Sequence, residues 1–231
     1  MGIILIVLIA NTLGFFVGGG ILHWAYYVRR RDDAATWKHQ PNRYQTTEMM
    51  LSKVPLVLLN STIINGALGV CTYLILEEKC QAFWDPASVS VPYLVASSVG
   101  VFLWYHVMLY YWHRTMHRPW LFKRIHHVHH KYKHPVWLDA LYEHPLEACW
   151  GAVVLISPLF VFPIWAPAYF VFMIVMGIHE ILDHTGIDIN IPLLATSKAH
   201  DIHHYRCHYY FGQLLPLLDD VHKTGYGEKR T

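Results

Sequence analysis

The sequence predicts an all-α protein: an integral membrane bundle of about four to five spanning or re-entrant helices, with a histidine-rich helical cap on the cytoplasmic side. Three observations carry that expectation. Apolar residues make up 54% of the 231 residues and charged residues only 15%, against about a quarter charged in a soluble domain, so little of the surface can be wet. Several apolar runs are long enough to cross the roughly 30 Å hydrocarbon core of a bilayer. Sixteen of the 18 histidines fall between His106 and His222, so whatever they do belongs to the second half of the chain. The formal net charge of +2 and the absence of a basic stripe argue against nucleic acid as a partner.

The first element runs from Met1 to Val28 and is apolar apart from Asn11, Thr12 and His23. A cleaved signal peptide would need basic residues ahead of the apolar stretch, whereas Arg29, Arg30 and Arg31 follow it. The positive-inside rule puts the N-terminus outside and these arginines in the cytoplasm, with Trp24, Tyr26 and Tyr27 at the interface. A polar connector over residues 29–53 leads to a second span, 54–76, whose Gly66 and Gly69 suit close helix packing. After a loop on the far side, a third span, 93–112, brings the chain back and completes a membrane region of residues 1–112. Arg114, Arg118, Lys123, Arg124, Lys131 and Lys133 follow on that side, so charge asymmetry and span parity agree.

Residues 113–231 then form the region that carries the chemistry. Within it, residues 146–178 are again apolar, and Pro158, Pro163 and Pro167 predict a helical hairpin whose two ends return to the histidine side. The polar stretch from Asp183 to Thr231 predicts a cap. Cys71, Cys80, Cys149 and Cys207 lack CxxC spacing, which points to neither a disulfide framework nor a thiolate metal site.

Four local patterns mark the candidate site. His113 and His117 are four apart, so on a helix they share one face. His126, His129 and His130 form an HxxHH group that His200, His203 and His204 repeat, and this spacing predicts that the imidazoles of each motif converge. His179 and His184 end the hairpin. Ten histidines exceed the coordination number of any one common ion, and two neighbouring ions fit the count. Imidazole suits zinc, copper, iron and nickel. A structural zinc closes with four ligands, so the surplus points to redox chemistry. His23, His39, His134 and His222 read as ordinary surface or core residues, and His106, seven residues before His113, as a support on the same helix face.

In their order and spacing these motifs resemble the fatty acid hydroxylase superfamily, membrane enzymes that include sterol C4-methyl oxidases and sterol C5-desaturases. The resemblance covers about Leu103 to Thr224 and rests on Tyr111-Trp112-His113-Arg114-Thr115-Met116-His117, His126-His127-Val128-His129-His130, Asp183-His184-Thr185-Gly186, His200-Asp201-Ile202-His203-His204 and Phe211-Gly212. Any one box alone is weak; three in this order are specific. The resemblance implies two iron ions, replaceable by zinc in purified protein, on the cytoplasmic face above a helical membrane domain. Their ligands would be His113, His117, His126, His129, His130, His179, His184, His200, His203 and His204.

It further implies O2-dependent hydroxylation or desaturation of a lipid C–H bond. The lipid would enter from the bilayer, and electrons would come from a cytochrome b5-type or ferredoxin-type donor, since no flavin or nucleotide fingerprint is present. The membrane would be the endoplasmic reticulum in a eukaryote and an inner or organelle membrane otherwise. Ligating imidazoles need partners for their second nitrogens, and Asp183, Asp201, Glu143, Glu147 and Glu180 stand beside the boxes, with His144 in the same supporting layer. The stretch Tyr142-Glu143-His144-Pro145-Leu146-Glu147 is similar to sterol C4-methyl oxidases and tilts the substrate toward a sterol. The chain departs from the family in two places. Tyr210 stands where an Asn able to hold a metal-bound water is usual, and Leu218 where Trp is common ahead of Asp219. Two other readings compete: a non-catalytic membrane subunit that retains the fold, and a haem protein with paired histidines on opposed spans.

Overall fold

The computed structural model describes residues 2–189 and 197–227; residues 190–196 and 228–231 of the expected cap lie outside the described residues. The elements are α1 (Gly2–His23), α2 (Thr47–Leu76), α3 (Val91–Met116), α4 (Pro145–Ile156), α5 (Ala166–Asp183), α6 (Ser197–Arg206) and α7 (Leu217–His222), with short helical turns between residues 119 and 141. Among the described residues, four helical segments are long and apolar enough to cross a membrane: Gly2–Val28, α2, α3 and α5. The chain is an all-α membrane-type bundle. Among the described residues the paired strands are two residues long, Ala82–Phe83 running parallel to Ile164–Trp165.

Helix ends differ from the apolar runs in an instructive way. The second helix begins at Thr47 rather than at 54, because the Thr46 hydroxyl accepts the Met49 N–H (3.2 Å) and starts the helix in polar sequence. The connector therefore ends seven residues early. Helix α3 starts behind a Ser90 cap with Pro92 in its first turn and continues to Met116, so His113 is helical. The hairpin is α4, a short turn at Pro158–Val161, the two-residue strand and α5, which runs on to Asp183 and carries His179. A helix does not stop where its apolar face stops, and polarity alone cannot mark these ends.

Exposed apolar residues recur every fourth position along α3 (Val91, Val95, Val99, Leu103, Val107), the stripe that one helix face presents outward. Helices α1 and α5 do the same with Ile6, Ile9, Leu13 and Val17, and with Val171, Ile174, Val175 and Ile178. Such surfaces are stable against lipid and not against water. Inside, one buried cluster (Cys71, Ile75, Val101, Leu159, Ile164, Tyr169) ties α2 and α3 to the hairpin tip. A second cluster (Tyr27, Trp37, Val57, Tyr132, Val136, Trp137) joins the first two helices to the segment before α4. Gly19 makes room for that join, since a Cβ there would overlap the Trp137 indole.

A buried ion pair pins the same junction. Lys53 of α2 and Asp139 are both fully buried, and the lysine ammonium donates to the Asp139 carboxylate and to the Gln45 side chain. Asp139 also accepts from Gln45 Nε2 and from the Val136 N–H, each at 2.8 Å. The Tyr132 ring lies 4.0 Å under the ammonium. On the far side of this cluster the Tyr27 hydroxyl donates to the Thr185 carbonyl (2.6 Å), beside Gly186 at φ +66°. A side chain at Gly186 would meet that hydroxyl at 2.8 Å, so the turn after α5 demands glycine twice over.

Candidate metal centre

Nine histidines gather into two adjoining groups: His113, His117, His126, His130 and His203 in one, His129, His184, His200 and His204 in the other. Within each group the ligand atoms lie within 4.8 Å of one another. Helix α3 supplies His113 on its last turn and His117 at its cap, the turns at Phe122–His126 and His129–Lys131 supply three more, His184 caps α5, and α6 supplies the rest.

The HxxHH motifs behave differently from the expected convergence. In each of them the first and last histidines (His126 and His130; His200 and His204) face one group, and the middle one (His129; His203) crosses to the other. For His200, His203 and His204, on α6, the cause is α-helical geometry; the first motif reaches the same split through the separate turns Phe122–His126 and His129–Lys131. Positions i and i+4 differ by roughly 40° around the axis, whereas i+3 and i+4 differ by roughly 100°. Each motif thus reaches both groups, and the rings of His130 and His204, one from each, sit 4.8 Å apart.

For four of the rings the tautomer is set by what the outer nitrogen touches. The Nδ1–H of His113 donates to the Phe211 carbonyl (2.9 Å), that of His203 to the Tyr209 carbonyl (2.6 Å) and that of His184 to the Glu180 carbonyl (2.8 Å). His126 Nδ1 donates to the buried Glu147 carboxylate. Each of these rings therefore turns a bare Nε2 lone pair inward. The inward Nε2 atoms then meet one another: His126 to His117 at 2.9 Å, His130 to His126 at 3.1 Å and His203 to His130 at 3.1 Å. In the second group His200 lies 2.9 Å from His184, His204 3.1 Å from His200 and His184 3.4 Å from His129. A neutral imidazole carries one N–H, so His130, between His126 and His203, and His200, between His184 and His204, can each donate to one neighbour and not to both, whereas a shared cation satisfies all of these lone pairs. Metal–nitrogen bonds near 2.1 Å would separate neighbouring donors by roughly 3.0 Å at right angles and roughly 3.4 Å at tetrahedral angles, which is the spacing present. The residues fit a pair of imidazole-bound metal ions.

Burial keeps the rings uncharged, as ligation requires. It holds His126 and His184 down to about 3. His129, His130, His200, His203 and His204 are driven well below the ordinary imidazole value by burial first and by mutual repulsion second. Phe211 and Phe122 pack on His117 at ring distances of 5.1 and 5.4 Å, sealing one side of the five-histidine group.

The tenth expected ligand, His179, lies outside both groups; its Nε2 is 3.3 Å from Asp183 Oδ2. It sits more than a turn before His184 on α5, too far along the helix for both to reach one ion. Of the expected supports, Glu147 holds His126, and Glu180 holds His184 through its backbone. Asp183 pairs instead with His179, and Asp201 accepts from Gln40 (2.9 Å). The Glu143 carbonyl accepts from Asn60 (2.8 Å), and His144 caps α4 through the Leu146 N–H (3.2 Å). His106 donates to Phe102 (2.6 Å), His39 meets Ser197 and His222 meets Tyr111, all away from the groups. Sequence reasoning missed the carbonyls of Tyr209 and Phe211, because a backbone acceptor leaves no residue-type signal. Asp219, which gathers the Phe211 and Gly212 N–H groups on its carboxylate, was the clue available.

A family model described as fatty acid hydroxylase matches residues 98–224. Fatty acid hydroxylase ahd1 of Mycosarcoma maydis is 28% identical over 191 residues, 82% of this chain and 49% of the relative. Fatty acid hydroxylase domain-containing protein 2 of Homo sapiens is 29% identical over 182 residues, 76% of this chain and 52% of the relative. Methylsterol monooxygenase 1 of Danio rerio is 29% identical over 203 residues, 81% of this chain and 67% of the relative. The chain spans about half the length of the first two relatives. No solved structure matches it.

Proposed function

The chain belongs to the fatty acid hydroxylase family, and on that premise we propose that it is a membrane oxidoreductase that uses O2 to hydroxylate or desaturate a lipid C–H bond at a pair of iron ions. The observation that carries this reading is the convergence of nine imidazoles, eight of them buried and His117 half-buried, in two adjoining groups. His113, His117, His126, His130 and His203 would hold one ion and His129, His184, His200 and His204 the other. When bound, the iron pair supplies the redox chemistry that O2 and an unactivated C–H bond require. Zinc can take the same imidazoles in purified protein.

The chain's own residues do the rest. Glu147 and the carbonyls of Glu180, Tyr209 and Phe211 fix ring tautomers, so that each Nε2 is ready without rearrangement. Phe122 and Phe211 keep water from the five-histidine side. The lipid approaches from the bilayer along α3 and α5, where Phe102, Tyr105 and Phe172 make an aromatic wall. Buried His106 Nε2 is without a hydrogen-bond partner among the described residues, and it is suited to meet a polar group on that lipid. We assign residues 1–112 to membrane anchoring and 113–231 to catalysis, with the histidine centre on the cytoplasmic side by the positive-inside rule. Electrons come from a cytochrome b5-type or ferredoxin-type donor. The printed names of the relatives include a methylsterol monooxygenase and fatty acid hydroxylases, so sterols and acyl lipids are both substrate classes to test.

A haem reading is disfavoured because Nε2 atoms 2.9–3.4 Å apart leave no slot for a porphyrin between them. The test is metal content together with lipid profiling. Purified protein should carry about two irons per chain, and cells lacking the gene should accumulate an unoxidised sterol or acyl lipid. A metal-free chain, with unchanged lipids in the deletion strain, would favour a non-catalytic subunit.

A further inference from the structure

We propose that position 210 is a positioning residue for the five-histidine group, acting through its left-handed backbone and not through its side chain; this rests on the metal reading above. Tyr210 has φ +55°. The carbonyls on its two sides accept from two imidazoles of the same group: Tyr209 from His203 Nδ1 (2.6 Å) and Phe211 from His113 Nδ1 (2.9 Å). Cys207 (φ +63°) is also left-handed and ends α6, but the left-handed residue at 210 is the one that lies between the two carbonyls and lets them turn onto neighbouring rings. Extended or right-handed dihedrals at 210 would swing one of them away.

The surrounding contacts hold that conformation. The Tyr210 N–H donates to the Thr224 carbonyl (3.0 Å), and the Phe211 and Gly212 N–H groups donate to Asp219 (2.9 and 2.7 Å). The Thr224 hydroxyl closes the clasp on the same buried carboxylate (2.5 Å). Left-handed dihedrals crowd the Cβ of an L residue against its carbonyl. Glycine escapes this, and Asn tolerates it through local hydrogen bonds. The Asn expected at this place from the family resemblance then has two accounts, the backbone conformation or an amide that holds a metal-bound water. Tyr210 keeps the conformation because the Asp219 clasp enforces it.

The two accounts order substitutions differently. A backbone role ranks Gly and Asn together above Tyr, and β-branched Val below it. A side-chain amide role would favour Asn alone. The experiment loads detergent-purified full-length protein with Co(II), counts ions per chain by mass spectrometry and follows their release to a chelator. Wild-type protein should take up about two ions. Tyr210→Gly and Tyr210→Asn should both slow the release of one ion by roughly fivefold, and Tyr210→Val should speed it, while the ion of the four-histidine group leaves at the wild-type rate and certifies the fold. Release from Tyr210→Gly as fast as from Tyr210→Val, or a Val variant indistinguishable from wild type, overturns the proposal alone. Wild-type protein that takes up no cobalt overturns the metal reading and this proposal with it.

Discussion

Replacing Lys53 with Met tests how firmly the membrane helices are fastened to the segment that leads into the histidine centre. In the native chain Asp139 is fully buried and accepts from the Lys53 ammonium, Gln45 and the Val136 N–H. Lys53→Met leaves two neutral donors on the carboxylate and removes its counter-charge, along with the cation that sits 4.0 Å from the Tyr132 ring. Breaking one side of a buried pair in this way costs about 3–5 kcal/mol. At about 2–4 °C per kcal/mol for a chain of this size, the thermal midpoint should fall by roughly 6–20 °C. The assay is a heat ramp on detergent-solubilised protein followed by size-exclusion fluorescence. Adding Asp139→Asn should recover most of the loss, since the amide oxygen still accepts the Val136 N–H and no charge is left stranded. A single variant as stable as wild type, or a double variant no better than the single, would refute the reasoning.

Three further outcomes follow from the centre itself. His203→Ala should empty the five-histidine side and His129→Ala the four-histidine side; each should abolish turnover while the protein stays in the membrane fraction, and full turnover in either variant would sink the ligand assignment. Glu147→Gln keeps an acceptor for His126 Nδ1 but removes its charge, so affinity for an ion on the five-histidine side should drop roughly 10–100-fold in a chelator competition. Acid should loosen the metal-stripped centre. His126 and His184 are held at about 3 in the folded chain against an ordinary 6.5, so between those values the unfolded chain binds more protons. Stability is therefore full above 6.5 and is lost as pH falls, by about 1.4 kcal/mol per pH unit for each of the two. A thermal midpoint that stays flat from about pH 7 to about pH 5 would contradict this.

Much of the architecture was legible because the relevant signals are carried by residue type. Long apolar runs gave the spans, Pro158, Pro163 and Pro167 gave the hairpin, and histidine spacing picked out the nine residues that gather. Where the reading fell short, the missing information was geometric. The i, i+3, i+4 pattern shows which residues share a helical turn, and the roughly 100° between His203 and His204 on α6 decides that they face different groups. His179 looked like a ligand because it neighbours His184 in sequence, yet it sits more than a turn lower on α5 and pairs with Asp183. Glu147 was visible as a candidate support. The Tyr209 and Phe211 carbonyls were not, since every residue has one and backbone dihedral angles, left-handed at Cys207 and Tyr210, decide where they point.

The lengths of the helices have a consequence for where a lipid meets the centre. Helix α5 has 18 residues and rises roughly 27 Å, while α4 has 12 and rises roughly 18 Å. Helix α5 is at the short end of what crosses a hydrocarbon core of roughly 30 Å and α4 is shorter still, and a tight match of this kind is relieved by thinning the bilayer locally or by sinking the helix end into it. In a bilayer, His184 at the end of α5 would then lie near the acyl region. A long-chain molecule diffusing in that dimple would need only a short displacement, and little exposure to water, to bring a carbon under the imidazoles.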